Sequence, residues 1–376
     1  MKINIFTGPM LPIPPVKGGA VQRRWQGVAE EFAKCHHEVT IFTRSYHGQA
    51  SEQVINGVSY VRLGGFDQSN NVFIDLVKDF FYAKKLLKAL PSSDVLIIND
   101  FWLPILIPKK HNFGLTVANA ARYPKKQYNF YSNVSAIVTV SKPIKNAIVK
   151  QTPRITPKTY IIPNPINNAF FHGIHQNTKK KEKTILYVGR IHPEKGIGLL
   201  ISAFTEIYKQ IKNIKLVIVG PWMSSEGGGG VEFFEKLKYQ AGDEVPVEFI
   251  GPIFDLEKLA TVYANADIFC YPSLAEKGEA FGVAPLEAMA SGLIPIVSGL
   301  ECFLDFISPN INGFTFDHRT EKRKENLIKV LEEVLFSTDI INIKKNAIDT
   351  AMIFSYENVA SQYLNLFEKL SHHKIS

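Results

Sequence analysis

The sequence predicts an α/β protein with two doubly wound parallel sheets. Strand and helix patterns alternate along both halves of the chain, which is typical of parallel sheets covered by helices. The chain has 376 residues, enough for two domains. Its hydrophobic content of 45% is ordinary for a globular protein, and no apolar run is long enough to predict a transmembrane helix.

Short apolar runs bounded by turn residues predict the strands of the first half. These strands are expected at 2–6, 38–43, 58–63, 95–98, 115–117 and 136–140. Apolar residues at helical spacing predict helices at 20–34 and 74–90. The first domain is expected to span 1–165, because the stretch Ile161-Ile162-Pro163-Asn164-Pro165 interrupts the pattern.

The second half repeats the alternation and predicts a second domain over 166–355. Its strands are expected at 184–188, 215–219, 247–250, 268–271 and 294–297. Its helices are expected at 198–210, 231–240, 256–264 and 321–336. A last helix over 356–371 carries its apolar residues on one side.

Charge and cysteine usage limit the partners and the compartment. A net charge of +8 suits nucleic acid, an anionic membrane surface or phosphorylated ligands. The sequence lacks zinc-finger spacing and RNA-binding motifs, so we expect no nucleic-acid partner. The three cysteines are far apart and the N-terminal apolar stretch is too short for a signal peptide, which together predict a cytoplasmic protein.

Two carboxylates, Glu279 and Glu287, stand eight positions apart around the turn Phe281-Gly282-Val283. Small residues predict a helix that starts near Pro285 and stops at Gly292. The backbone amides of the turn would then lie at the positive end of the helix dipole. Carboxylates accept hydrogen bonds from hydroxyls and amides donate them, so this segment suits a polyhydroxylated anion.

Two further segments have phosphate-binding chemistry. Arg190 ends a predicted strand and Lys195 follows before a helix, which favours a diphosphate. A proline-rich loop after the first strand ends in Gly18-Gly19, where the backbone can approach a ligand at a helix N-terminus. The four glycines at 227–230 indicate a flexible loop and lack the lysine of a phosphate loop.

The Glu279 to Glu287 string resembles the glutamate-x7-glutamate motif of the retaining family-4 glycosyltransferases. That family has the GT-B fold, in which two Rossmann-like domains face each other across a cleft and the last helix crosses back to the first domain. The resemblance implies that Glu279 holds the donor sugar and Glu287 binds the ribose, while Arg190 and Lys195 bind the diphosphate. Glu279, Arg190 and Lys195 are therefore the expected catalytic residues.

The resemblance also implies a donor site and no metal ion. Its expected contacts are Gly18, Gly19, Gly220, Ile253, Phe281, Gly282, Val283 and Glu287. Gly220 ends a strand as in the family, and Ile253 closes the segment whose backbone reads the nucleotide base. The substrate would be a nucleotide-diphosphate sugar, with UDP or GDP as the nucleotide, and no cofactor is expected.

The first domain departs from the family pattern beside the reacting centre. Ala118 stands where many members carry a histidine that contacts the donor sugar. Either donor choice has changed, towards a pentose or a 6-deoxysugar, or catalysis is weakened and the protein mainly binds. The site candidates of the first domain are the neighbouring Asn119, Arg122 and Asp100. Asp100 equally suits a turn in which Phe101 and Trp102 pack together.

Helix 76–88 has apolar residues at helical spacing with lysines between them. It suits packing on a sheet, or an anionic membrane surface on which Arg23, Arg24 and Trp25 would also lie. The second role would fit a lipid-linked acceptor and a protein at the inner face of the membrane.

The sequence thus predicts a glycosyltransferase that acts on a glycan or lipid-linked acceptor in cell-surface polysaccharide or glycolipid synthesis. Two alternatives stay open. One is a nucleotide-sugar epimerase or phosphorylase on the same scaffold, and the other is a non-catalytic protein that binds a sugar or nucleotide.

Overall fold

The computed structural model of the protein describes residues 1–15, 19–69, 71–171, 173, 182–337 and 340–375. The chain divides into two compact units. Unit 1 comprises Met1–Pro165 and Tyr356–Ser376, and unit 2 comprises Ile166–Ser355. Each unit contains a sheet of its own.

Unit 1 holds an eight-stranded sheet. Its strands are β1 (Lys2–Phe6), β2 (Glu38–Arg44), β3 (Glu52–Ile55), β4 (Val58–Leu63), β5 (Val95–Ile98), β6 (Leu115–Ala120), β7 (Ala136–Thr139) and β8 (Thr159–Ile161). They lie in the order β3-β4-β2-β1-β5-β6-β7-β8, and only β3 is antiparallel to its neighbour among the described residues. The edge strands β3 and β8 were not predicted, because β3 is largely exposed and β8 has three residues, so neither forms an apolar run.

The helices of the N-terminal part of unit 1 are α1 (Ala20–Lys34), α2 (Val72–Ala89), α3 (Leu103–Leu106) and α4 (Lys142–Gln151). Helix α1 buries Trp25, Val28 and Phe32 completely against the sheet. The Asn71 side chain accepts hydrogen bonds from the first amides of α2, so this helix begins two residues before its predicted start. Ser141 caps the unpredicted α4 in the same way.

Helix α2 has acidic residues on its inner side and apolar residues on its outer side. Asp75 and Asp79 are buried beside Tyr82 and Leu86. We call the exposed side the outer face of α2; it carries Phe73, Ile74, Val77, Lys78, Phe81, Lys84, Lys85 and Lys88. Phe73 is 74% exposed and Phe81 is 64% exposed. The helix therefore packs on its sheet, as one alternative held, and still presents a mixed apolar and basic surface.

Unit 2 holds a six-stranded sheet. Its strands are β9 (Lys183–Val188), β10 (Ile214–Val219), β11 (Val247–Gly251), β12 (Ile268–Tyr271), β13 (Ile294–Ser298) and β14 (Phe314–Phe316). Its helices are α5 (Ile197–Gln210), α6 (Val231–Ala241), α7 (Leu256–Ala264), α8 (Val283–Ala290), α9 (Arg323–Phe336) and α10 (Ile340–Met352). The sheet is parallel, in the order β11-β10-β9-β12-β13-β14. Strand β14 and helix α10 were not predicted.

The last helix, α11 (Tyr356–Ile375), completes the core of unit 1. Its Tyr363 and Phe367 are fully buried, and both rings pack on Phe32. A Cβ atom at Gly27 would lie 2.4 Å from the Tyr356 ring, so only glycine lets α1 and α11 approach this closely. The helix runs beyond its predicted end at 371.

Candidate active site

The strand order of unit 2 reverses between β9 and β12, which are hydrogen-bonded neighbours. The chain leaves β9 towards β10 on one side and leaves β12 towards β13 on the other. Divergence of this kind opens a crevice at the carboxyl ends of the strands, where ligands bind in such sheets. Arg190 and Lys195 follow β9 and Glu279 follows β12, so the topology places all three at this crevice.

A buried ion pair joins the two segments. Lys195 Nζ lies 2.6 Å from Glu279 Oε2, and the two side chains are 5% and 11% exposed. The Tyr271 hydroxyl and Ser273 Oγ also donate to Oε2, at 3.3 and 3.2 Å. Three donors therefore converge on one carboxylate oxygen, and Oε1 has no recorded partner among the described residues. That oxygen can accept a hydrogen bond from a ligand hydroxyl.

Close packing of the two segments fixes this geometry. A Cβ atom at Gly196 would lie 2.1 Å from the Pro272 carbonyl oxygen, and Gly196 has φ of +70°, so glycine is required. The Tyr187 ring stacks on Tyr271 at 5.5 Å, and its hydroxyl donates to the Arg190 carbonyl at 3.0 Å. Burial raises the pKa of both tyrosines well above the ordinary value, so the hydroxyls stay protonated donors.

The Arg190 guanidinium is held by one charged and one neutral acceptor. Nη2 lies 2.9 Å from Glu194 Oε1, and Nη1 donates to the Gly227 carbonyl at 2.7 Å. The side chain is 44% exposed, so part of the guanidinium remains accessible to an anion. Glu194 Oε1 also lies 3.9 Å from Lys195 Nζ, so both cations contact the same carboxylate oxygen.

The glycine run 227–230, whose composition suggested a flexible loop, forms a turn that backbone hydrogen bonds hold. Gly227 and Gly230 have φ of +80° and +88°. At Gly228 a Cβ would lie 2.3 Å from the Trp222 backbone, and at Gly229 it would lie 2.7 Å from the Phe233 ring. All four amides donate to carbonyls, of residues 224, 223, 191 and 222 in turn. The turn therefore has no amide left for a phosphate and instead supports Arg190 through a carbonyl.

Glu287 lies on the second turn of α8, which starts at Val283, two residues before the predicted Pro285. The buried Tyr263 hydroxyl of α7 donates to Glu287 Oε2 at 2.9 Å. Gly292 has φ of +75° and its amide bonds to the Met289 carbonyl, while the Leu293 amide bonds to the Ala288 carbonyl. This pair of bonds is a Schellman motif, the C-terminal stop that glycine allows.

The turn before α8 is held by aromatic packing. Phe281 is 2% exposed, and its ring packs on Phe306 and Phe354. A Cβ at Gly282 would lie 2.4 Å from the Phe303 ring. The Phe281 side chain thus anchors the turn, and any ligand contact from residues 281–283 would come from the backbone or from the half-buried Val283.

The remaining donor-site candidates of unit 2 lie at the neighbouring strand ends. Gly220 follows β10, and a Cβ there would lie 1.8 Å from the Gly189 carbonyl oxygen. Its amide donates to the carbonyl of Gly251, which ends β11. Ile253 follows two residues later and is half-buried.

A charged cluster that sequence reasoning missed fixes the segment that carries Glu279. Glu276 Oε1 accepts from Arg319 Nε at 2.8 Å and pairs with His318 Nε2 at 2.9 Å. Burial pushes the pKa of Glu276 up, but the bonds from Arg319 and His318 outweigh it and hold that pKa below its ordinary value. The partners are more than forty positions apart, so no local pattern could reveal them. Tyr271 and Ser273, by contrast, could have been found, because Tyr271 ends a predicted strand and Ser273 follows it by two residues.

In unit 1 the predicted candidates take part in separate networks. Gly18 lies outside the described residues, while Gly19 precedes α1 with φ of +107°. Asn119 accepts from the buried Arg24 at 3.3 Å and donates to Asn99 at 2.7 Å. Arg24 and Trp25 are 3% and 0% exposed, so the expectation that they meet a membrane was wrong. Ala118 is buried in β6.

Asp100 takes part in the turn after β5. Its carboxylate accepts from the Phe101 and Leu103 amides at 2.7 and 2.8 Å. The Asp79 carboxyl of α2 is hydrogen-bonded to Asp100, and burial together with that neighbour raises the pKa of Asp79 to about 9. Phe101 and Trp102 pack edge to face at 5.0 Å. Arg122 is exposed on the loop after β6.

The crevice of unit 2 thus combines two cations with a carboxylate oxygen that is free to accept. Such a site can bind an anionic group and a hydroxylated group side by side. Within the described part of the chain, no three acidic, histidine or cysteine side chains form a cluster that could hold a metal ion.

Comparison with known sequences finds glycosyltransferases among the relatives of this chain. Residues 173–347 match the family described as Glycosyl transferases group 1. An uncharacterized glycosyltransferase of Methanocaldococcus jannaschii is 27% identical over 98% of both chains. A phosphatidyl-myo-inositol mannosyltransferase of Mycobacterium tuberculosis is 28% identical over 51% of this chain and 48% of its own.

Comparison with solved structures shows the fold. A sucrose-phosphate synthase of Thermosynechococcus elongatus has a TM-score of 0.76 at 22% identity, covering 99% of this chain and 100% of its own. The Anabaena protein HepE, solved with UDP and glucose, has a TM-score of 0.71 at 15% identity, covering 98% of this chain and 99% of its own. The predicted fold class, two Rossmann-like domains of the GT-B type, is confirmed.

Proposed function

We propose that the protein is a retaining family-4 glycosyltransferase. It transfers a sugar from a nucleotide-diphosphate sugar to a glycan or lipid-linked acceptor, in the synthesis of a cell-surface polysaccharide or glycolipid. The observation that carries this proposal is the buried Lys195–Glu279 pair beside Arg190, at the strand-order reversal of the unit that the family match covers.

In this proposal each group of the crevice has one task. Glu279 Oε1 accepts from a hydroxyl of the donor sugar, while Arg190 and Lys195 bind the diphosphate. The bond between the sugar C1 and the phosphate oxygen breaks, and the acceptor oxygen bonds to C1 on the same face. The acceptor proton passes to the departing diphosphate. The two cations stabilise the charge that develops on this leaving group, which is the main catalytic contribution and supports metal-independent transfer.

Glu287 provides the test of the donor site, because in this proposal it binds the ribose. Thermal unfolding should show that UDP or GDP raises stability, by roughly 2.7 kcal/mol at a hundredfold excess over Kd. Glu287→Ala should remove the effect, whereas Glu333→Ala, on the exposed side of α9, should keep it. If no nucleoside diphosphate stabilises the wild-type protein, the donor site is wrong and a non-catalytic role gains ground.

The products distinguish the proposal from its enzymatic alternatives. Transfer from a panel of donors should yield a glycoside whose anomeric configuration, read by NMR, equals that of the donor. Interconversion of free nucleotide sugars would indicate an epimerase, and phosphate-dependent turnover would indicate a phosphorylase.

Ala118 leaves no imidazole whose hydrogen bond must be satisfied, so pentose and 6-deoxysugar donors should be transferred at least as well as hexose donors.

The outer face of α2 supports a lipid-linked acceptor at the inner face of a membrane. Its exposed phenylalanines can insert among lipid chains while the lysines meet anionic headgroups. In the described part of the chain no helix has the length and hydrophobicity to span a bilayer, so this contact would be peripheral.

The protein should therefore sediment with phosphatidylglycerol vesicles, more weakly as salt rises, and less with phosphatidylcholine vesicles. Replacing Phe73 and Phe81 by serine should reduce binding at least tenfold, since each buried phenylalanine contributes about 1.5–3 kcal/mol. Phe336→Ser is the matched control, because that side chain is 70% exposed but belongs to unit 2. An equal loss of vesicle binding in Phe336→Ser, or vesicle binding that does not change with salt concentration, would contradict a membrane contact through the outer face of α2.

A further inference from the structure

We infer that Trp222 forms one wall of the nucleobase site and contributes to base selection. This inference rests on the proposed function, since it concerns the nucleotide of the donor. Trp222 follows Gly220 at the end of β10, at the carboxyl edge of the sheet where ligands bind.

The packing of the indole defines which of its surfaces remain open. Phe234 of α6 stacks on one face at a ring distance of 4.5 Å and an interplanar angle of 10°. The Cζ3–Cη2 edge covers Gly251, where a Cβ would lie 3.1 Å from Cζ3. Trp222 is nevertheless only half-buried, so part of the ring outside its contacts with Phe234 and Gly251 is exposed. No bond of Nε1 is recorded among the described residues.

The ring therefore lies over the strand end that leads to Ile253. An indole that one aromatic ring supports from below and that stays partly exposed can stack on a planar heterocycle. Its Nε1–H group can donate to a carbonyl oxygen on the edge of a base.

The glycine turn connects this ring to the cation of the diphosphate site. The Gly230 amide donates to the Trp222 carbonyl at 2.8 Å, and Gly227 accepts from Arg190 at 2.7 Å. The Ile191 amide donates to the Pro221 carbonyl at 2.8 Å. These hydrogen bonds thus connect the segment that carries the indole to the segment that carries Arg190. The glycine turn therefore links the ring that would contact the base to the guanidinium that would contact the phosphates.

The experiment compares the binding of UDP, GDP, ADP and inorganic pyrophosphate to the wild-type protein and to Trp222→Ala. The substitution should weaken binding of the preferred nucleoside diphosphate roughly tenfold or more. It should also reduce the differences in affinity between UDP, GDP and ADP, and leave the affinity for pyrophosphate unchanged. If the alanine variant is unstable, Trp222→Leu takes its place, because leucine still covers Phe234 and Gly251. It should show the same loss of nucleotide affinity. Tyr239→Ala, an exposed aromatic of α6, is the matched control.

Fluorescence gives an independent measurement, because the other two tryptophans, Trp25 and Trp102, belong to unit 1. The preferred nucleotide should quench the wild-type emission and not that of Trp222→Phe. Unchanged nucleotide affinity in the alanine and leucine variants would overturn the inference, as would an equal loss for pyrophosphate. If the wild-type protein binds no nucleoside diphosphate, the proposed function fails and the inference fails with it.

Discussion

Lys195→Met should abolish sugar transfer and also destabilise unit 2 by about 3–5 kcal/mol, because it leaves a buried carboxylate without its cation. Lys195 and Glu279 are 5% and 11% exposed, so water can replace the missing partner only in part. The loss of a cation at the leaving group should lower kcat at least a hundredfold.

The double variant Lys195→Met, Glu279→Gln separates the two effects. Without either charge the desolvation penalty disappears, so denaturant or thermal unfolding should recover most of the lost stability. Transfer activity should stay absent, because both the cation and the carboxylate are gone. Such a cycle shows that the stability cost belongs to the unpaired charge and the activity loss to the chemistry.

The matched control is Lys209→Met on α5. Lys209 Nζ lies 2.8 Å from Glu206 Oε2, but the two side chains are 65% and 45% exposed. Solvent screens this pair, so its removal should change stability little and activity not at all. If Lys195→Met were as stable as this control, Glu279 would not be a buried carboxylate in the folded protein. If it stayed active, Lys195 would not serve the diphosphate.

Asp79→Asn should stabilise the protein increasingly as pH rises from 5 to 8. The folded-state pKa of Asp79 is raised from 3.8 to about 9 by burial and by the neighbouring Asp100. The folded protein therefore holds a proton there that the unfolded chain has released. The free energy of unfolding falls as pH rises wherever the folded state binds more protons than the unfolded chain. Asp79 therefore lowers stability progressively across the window from about pH 4 to about pH 9. At about 1.4 kcal/mol per pH unit, the cost between pH 5 and 8 is at most about 4 kcal/mol.

Asparagine suits the site because it is neutral at every pH and its amide can donate to Asp100 as the protonated carboxyl does. The melting temperatures of the variant and the wild type should be close at pH 5 and diverge towards pH 8. Asp75→Asn removes an acid from the same buried side of α2, one turn earlier, where the Ser69 amide is its partner. This variant measures the effect of removing a hydrogen-bonded acid from that side of the helix, against which the effect of Asp79→Asn is compared. A gap for Asp79→Asn that shrinks with pH would mean that Asp79 is ionised in the folded state.

The elements that the sequence predicted well are those with strong local patterns. Strand β5, Val95–Ile98, is fully buried and was found with its bounds because four apolar residues follow each other. The reversal of strand order between β9 and β12 is not a local property, yet it brings Lys195 and Glu279 together. Their association could be expected only through the resemblance to a family.

Other parts depend on contacts that sequence patterns do not express. The edge strand β3, Glu52–Ile55, exists because it pairs with β4, and its own residues are mostly exposed. The glycine run 227–230 has the composition of a linker, but its conformation is dictated by Trp222, Phe233 and Arg190. Composition reports what a segment can do alone, and these segments are determined by their neighbours.

Helix α11 determines when unit 1 can finish folding during synthesis. Tyr363 and Phe367 belong to the same core as Phe32. The whole of unit 2 lies in the sequence between Phe32 and these two residues, so it is synthesised before them. Unit 2 is thus synthesised before unit 1 has the last helix of its core. Until then the apolar side of α1 has no helix to cover it, and a chain that ended after unit 2 but before α11 would leave that surface exposed.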